Sequence, residues 1–292
     1  MKSQTNKIAE KKDNDGIARI WVHSDLQLAE PEEAEVILST AVNDLLELDI
    51  PLDAVWCLGD AHCGTNEANL QTVAATNIAQ LHRLQAPVYY VMGNHEMDLR
   101  GSKNILRYPL HDLAMDNSDW HMAALDEPYF CAEFNGFLAV LMSDHAAFDG
   151  SWWTSHGYIN GERYPHTPDS YEKLRCLIRD YNGPVVIASH YAFPGGQRPS
   201  ALMELLQPLP ENVRLHLYGH AHIGDLVWNK ERPWQRENPI TDEKIKQFNI
   251  SALESKRSPG SHSALMELHA DGSVKLRIRC HLEKKWLDVF TA

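Results

Sequence analysis

The chain carries little that would hold it to a polyanion or a bilayer. Against 40 Asp and Glu it sets only 27 Lys and Arg, a formal charge of −13 over 292 residues. So acidic a surface repels phosphate backbones and anionic headgroups. This argues against nucleic acid as a partner and against a polybasic membrane anchor, and any phosphate the chain handles must meet a local cation. Long apolar runs are missing too: a stretch such as Phe137–Met142 falls far short of the roughly 20 residues that cross a bilayer. The five cysteines, Cys57, Cys63, Cys131, Cys176 and Cys280, form no C-x-x-C pair, which excludes a cysteine-rich zinc site and suits reduced thiols. Residues 1–16 are polar where a secretory signal would have its apolar run, so a polar tail on a cytoplasmic protein is expected.

What is present suits a folded core. Hydrophobic residues make up 43% and aromatics 9%, which excludes disorder throughout. From residue 17 short runs rich in Val, Ile, Trp and Tyr alternate with amphipathic stretches, the pattern of a layered α/β fold. Strands are expected over Ile17–Ser24, Ala54–Leu58, Val88–Met92, Phe137–Met142, Val185–Ala188 and Val213–Tyr218. Helices are expected over Glu32–Leu48, Asn69–Leu84 and Ser170–Tyr181, and a C-terminal hairpin from Ser263–Leu268 and Val274–Arg279 around Ala270-Asp271-Gly272. Asp144–Asp169 and Asn229–Lys246 read as long loops. Strand signals continue on both sides of each, so 17–292 is expected to be one domain.

The informative pattern is where polar residues fall. The first strand ends in Asp25, the second runs into Gly59-Asp60, and the third into Gly93-Asn94-His95-Glu96. Val185–Ala188 ends in Ser189-His190 and Val213–Tyr218 in Gly219-His220-Ala221-His222. An Asp at a strand end commonly caps a turn, and a lone His commonly packs half-buried. Together, five strand ends that deliver carboxylates, an amide and imidazoles to one edge describe a metal site.

In order and spacing these blocks resemble the calcineurin-like metallophosphoesterase superfamily, over about Ile17 to Arg279. The resemblance implies an α/β fold of the α+β type, a four-layer αββα sandwich of two mixed sheets flanked by helices. It also implies two divalent ions, with Mn, Fe or Zn favoured by the nitrogen and oxygen donors and Mg or Co compatible. Asp25, Gln27, Asp60 and His222 would surround one ion. Asp60, Asn94, His190 and His220 would hold the other, with Asp60 between them. His95 would be the catalytic acid that helps the leaving oxygen depart. The implied activity is hydrolysis of a small phosphomonoester, phosphodiester or nucleotide-like diphosphate by a metal-activated water.

Two positions depart from the superfamily pattern. Gln27 stands where a histidine ligand is usual, and an amide oxygen is a poorer donor to Mn or Zn. Either the chain is a degenerate relative that serves as a binding scaffold, or it is an active variant similar to the Mn-dependent ADP-ribose/CDP-alcohol diphosphatases, which share this Asp-x-Gln block. The other ligand positions are all kept, which favours activity. His23, two residues before Asp25 and so on the same face of a strand, or His62 could also approach the weakened site, although a packed strand histidine and an exposed loop histidine are the commoner roles. Cys63 stands where protein phosphatases of the superfamily carry an Asp, which argues against that activity, and the absence of a basic-groove signal argues against a DNA nuclease of the superfamily. Trp152, Trp153, Tyr158 and Tyr164 could stack on a base, and Arg100 and Lys103 could bind a second phosphate; structural roles explain both groups equally well.

Overall fold

The computed structural model describes residues 16–27, 30–62, 67–96, 119–123, 129–143, 152–154, 157–159, 168–191, 210–220, 222, 235–236, 246–255 and 260–292. The N-terminal tail, apart from Gly16, lies outside them, as do Cys63, Arg100, Lys103 and Tyr164.

Seven strands form one sheet in the order β15-β14-β13-β1-β2-β3-β4: β1 (Ile17–His23), β2 (Ala54–Cys57), β3 (Val88–Val91), β4 (Trp120–Ala123), β13 (His262–His269), β14 (Val274–Cys280) and β15 (Lys285–Thr291). Six form a second in the order β11-β12-β10-β9-β6-β5: β5 (Tyr129–Phe134), β6 (Phe137–Met142), β9 (Val185–Ser189), β10 (Val213–Tyr218), β11 (Gln235–Arg236) and β12 (Lys246–Asn249). Helices α1 (Pro31–Glu47) and α2 (Glu67–His82) pack on the outer face of the first sheet through Leu38, Leu45, Val73 and Leu81. Helix α3 (Pro168–Asp180) packs Leu174 and Ile178 on the outer face of the second. Between the sheets lie Ile20, Val22, Trp56, Phe137, Leu215 and Met266. The layers therefore run αββα, as expected.

Within each sheet the strands that carry the polar blocks are parallel. In β1, β2 and β3 the register runs Ile20↔Ala54 and Val55↔Val88; in β6, β9 and β10 it runs Leu138↔Val185 and Leu217↔Ala188. Parallel strands buried on both faces read as continuous apolar runs, which is why these were legible. The strands that went unread are short or half-polar: β4, β5, β11, β12 and β15. Two strands, β7 (Trp152–Thr154) and β8 (Gly157–Ile159), pair as a hairpin inside the expected loop Asp144–Asp169, whose end belongs to α3. In the expected loop Asn229–Lys246, Gln235–Arg236 pairs with β12, so both segments carry more structure than their polar composition suggested. For β5 the signal was there. Asn135-Gly136 takes φ 49° and 82°, the left-handed pair of a tight hairpin turn, and joins β5 to β6.

One buried network ties α1 to the first sheet. Asp44 sits in the buried stripe of α1 and takes both a paired contact from Arg279, at 2.8 and 2.6 Å, and one from His281 Nδ1 at 2.8 Å. Trp21 Nε1 donates to Ser263 Oγ, and because Nδ1 of His281 donates to Asp44, the Nε2 of the neutral ring accepts from the Ser263 hydroxyl. Burial lowers the His281 pKa, in keeping with this neutral, fully partnered ring. Burial alone would raise the Asp44 pKa, but Arg279 and His281 hold the carboxyl down at about 2 against an ordinary 3.8. A depressed carboxyl contributes stability that is complete above its ordinary pKa and is lost as pH falls through its folded value. Asp44→Asn leaves the Arg279 charge buried and unpaired, and urea unfolding at neutral pH should record a loss of about 3–5 kcal/mol. The deficit should shrink in acid as wild type loses the same charge.

Candidate metal centre

The carboxyl ends of β1, β2 and β3 in one sheet and of β9 and β10 in the other meet at a single edge. The chain turns sharply after each. Asp25, Gln27, Asp60, His220 and His222 all have left-handed φ, between 39° and 62°, which side-chain-bearing residues adopt at a cost. The turns are pinned to one another: Asp25 N donates to Gly59 O and Gln27 N to Asp60 O. Gly59 itself has φ +91°, and a Cβ there would sit 2.5 Å from Gly93 N, so the β2 and β3 turns touch only because residue 59 is glycine.

Two sets of ligand-type atoms converge among the described residues: Asp60, His190 and His220, and Asp25, Asp60 and His222, each set within 4.8 Å. Asp60 belongs to both. His190 Nδ1 donates to Leu58 O at 2.7 Å, which turns Nε2 toward Asn94 Oδ1 at 3.0 Å and Asp60 Oδ2 at 3.2 Å. A neutral Nε2 would thus aim a lone pair at two oxygen acceptors, an arrangement that needs a cation in the middle, either a proton or a metal. His222 Nε2 and Asp25 Oδ1 lie 3.1 Å apart without the geometry of a hydrogen bond, and both are buried with no hydrogen-bond partner. Such unpartnered buried polar atoms are what an ion would satisfy. Carboxylate and imidazole without thiolate suit a borderline divalent metal, so the residues fit the group.

The electrostatics agree. Burial alone would raise the Asp60 pKa, but His190 and His95 hold the carboxyl well below the usual carboxylate range. Burial would lower both imidazoles, yet Asp60 lifts His190 to about 9, and Asp25 with Glu254 lifts His222 to about 10. Each imidazole is therefore in the field of anions placed to hold positive charge.

The remaining expected residues are placed as follows. Gln27 Nε2 donates to Asp60 Oδ2 at 3.0 Å, so the amide rests against the shared carboxylate. His95 donates its backbone N–H to Asp60 Oδ1, while its ring, 22% exposed, brings Nε2 to 4.0 Å from Asp60 Oδ2. His220 N–H donates to Asp25 Oδ2, and the His220 ring lies 5.1 Å from that of His190 and 4.7 Å from Tyr191. His23 turns the other way, onto Trp21 at 4.5 Å, so it packs in the core under α1. His62 is buried.

Two residues went unread. Glu96 is buried and accepts from Asp60 N and Gly93 N on Oε2, and from Ala61 N and Tyr90 Oη on Oε1, at 2.6–2.9 Å. Burial and the Asp60 charge push its pKa up, but donors aimed at both oxygens call for the carboxylate. Glu254 lies 3.2 Å from His222 Nδ1. Its position, beyond a stretch read as loop, gave no sequence signal.

Comparison with known proteins bears on the family and the fold. The profile of the calcineurin-like phosphoesterase family matches residues 18–224. No curated protein matches the chain. A dimetal phosphatase from Danio rerio is similar over 95% of this chain and 99% of its own, at 15% identity and TM-score 0.65. A purple acid phosphatase from yellow lupin (Lupinus luteus) seeds matches over 95% of this chain and 54% of its own, at 15% identity and TM-score 0.54. A Thermus thermophilus protein matches over 94% of this chain and 98% of its own, at 15% identity and TM-score 0.51. These likenesses bear on the fold and bear out the expected sandwich.

Proposed function

The chain belongs to the calcineurin-like phosphoesterase family, and from that premise we propose that it hydrolyses a small phosphate ester or nucleotide-like diphosphate at the edge where the two sheets meet. It is a metal-dependent phosphoester hydrolase of the dinuclear type. The observation that carries the assignment is the sharing of Asp60 between two carboxylate and imidazole clusters.

In this reading Asp25, Asp60 and His222 hold one divalent ion, with Gln27 beside them, and Asp60, Asn94, His190 and His220 hold the other. When bound, such a pair polarises a phosphoryl oxygen and lowers the pKa of a water to near neutrality. The chain's own residues do the rest. Asp60, fixed by the His95 amide and the Gln27 side chain, keeps the two clusters in register. Leu58 O fixes the His190 ring, so Nε2 faces the site. The partial exposure of the His95 ring, with Nε2 4.0 Å from Asp60 Oδ2, supports its role as the acid that hands a proton to the departing oxygen. The acidic surface, together with the strand-end location, favours a small substrate over a long polyanion. The Asp-x-Gln block supports the nucleotide-like diphosphates, ADP-ribose and CDP-alcohols, as first candidates.

A panel of bis-aryl phosphodiester, mononucleotides, ADP-ribose and CDP-alcohols, each with Mn, Fe, Zn, Mg or Co, tests this. Turnover of at least one compound with added metal, and none with chelator, is expected. Silence across the whole panel would return the chain to the binding-scaffold reading. Localisation is a separate matter: among the described residues no helix is long and apolar enough to cross a membrane.

A further inference from the structure

We infer that Glu254 is a positioning residue that fixes His222 and Asp25 together, and so compensates for the absent imidazole at position 27. The inference rests on the dinuclear reading above.

Glu254 lies in the segment that leaves β12 of the second sheet and enters β13 of the first. That segment is pinned on both sides. Ile250 N donates to Tyr218 O at the end of β10, and Leu253 N donates to Ser24 O at the end of β1. His262 N then donates to Ala252 O, and Asn249 Nδ2 to Gly219 O. The Glu254 backbone is therefore held by both sheets before its side chain makes any contact.

From this fixed base Glu254 grips both members of the orphaned pair. Its N–H donates to the carbonyl of Asp25 at 3.2 Å, and its buried Oε1 accepts from His222 Nδ1 at 3.2 Å. A carboxylate can only accept, so Nδ1 carries a hydrogen toward Glu254, and Nε2 is left as the ring atom that faces Asp25 Oδ1 and would take an ion. An anion on Nδ1–H also makes the opposite nitrogen a better donor, as carboxylates behind metal-bound histidines generally do. The other cluster has two imidazoles, of which His190 is backed by a neutral carbonyl, Leu58 O. The cluster that includes Asp25 has one imidazole, His222, and a full charge backs it. Charged backing therefore falls on the cluster with the fewer imidazoles.

The test titrates Mn(II) alone into the metal-free full-length protein by calorimetry. Wild type should take up two ions. Glu254→Ala should weaken one of them by about 10–100-fold and leave the other at wild-type affinity, with an unchanged thermal midpoint for the metal-free protein. Glu254→Gln keeps an acceptor oxygen without the charge and should fall between, and this isosteric variant decides the matter if the alanine variant does not fold. Two wild-type affinities in either variant would overturn the inference, as would equal weakening of both ions alongside a lowered midpoint. No uptake by wild type would instead overturn the dinuclear reading on which it stands.

Discussion

Asp60→Asn is expected to lower phosphoester turnover by roughly a thousandfold or more, the scale on which single electrostatic stabilisers act in such sites. The reason is geometric as well as electrostatic. Asp60 belongs to both ligand clusters, and its two oxygens already take the His95 amide and the Gln27 side chain. An asparagine side chain is nearly isosteric but neutral, and it has one oxygen to offer instead of two. If its amide nitrogen faces His95, it meets a backbone N–H with another donor; if its oxygen does, the nitrogen faces His190 and Gln27. Neither placement serves two clusters. Paired assays of wild type and variant on any substrate found active, with metal content measured in parallel, check this. Turnover within tenfold of wild type would remove Asp60 from the centre of the account.

Glu96→Gln is expected to be almost as damaging as Glu96→Ala, which is not the usual result of so conservative a change. Four donors converge on the Glu96 carboxylate: the N–H groups of Asp60, Ala61 and Gly93 and the Tyr90 hydroxyl. In glutamine, one end becomes a donor. Turned toward Oε2, it meets Asp60 N and Gly93 N; turned toward Oε1, it meets Ala61 N and Tyr90. Either way buried donors are stranded, at about 1–3 kcal/mol each. A loss on the order of 4 kcal/mol in thermal or urea unfolding is expected for either variant, and with it a loosening of the contact between the β2 and β3 turns that carry Asp60 and Asn94. A glutamine variant as stable as wild type would mean that Glu96 is protonated and needs fewer acceptors than its geometry provides.

The contrast between these residues says why some of the site was legible and some was not. Asp25, Asp60, Asn94, His190, His220 and His222 each follow directly on an apolar, doubly buried strand, so periodicity located them and the parallel topology brought them to one edge. The three helices were read to within about two residues because their stripes face a sheet. Glu254 followed no such strand. Its β12 is four residues long and starts where charge and proline had suggested a loop. Asp44 carries no mark in the pattern of its helix, and the distant Arg279 and His281 explain its burial. Glu96 stood in plain sight beside His95, but nothing local tells that three amides from two turns and the Tyr90 hydroxyl will meet it. Contacts of this kind depend on long-range register, which one strand's pattern does not encode. His23 shows the opposite limit: strand alternation would put it on the face of Asp25, but the left-handed turn at Asp25 breaks the alternation, and the commoner packed role is the one it takes.

The central claim is that this chain carries two metal ions side by side across Asp60, despite Gln27. The most direct measurement is elemental analysis of divalent metal in the protein after saturation with Mn(II) and removal of the excess. Two ions per chain are predicted, falling to one or fewer in Asp60→Asn. A single ion in wild type at saturating Mn(II) would contradict a dinuclear centre.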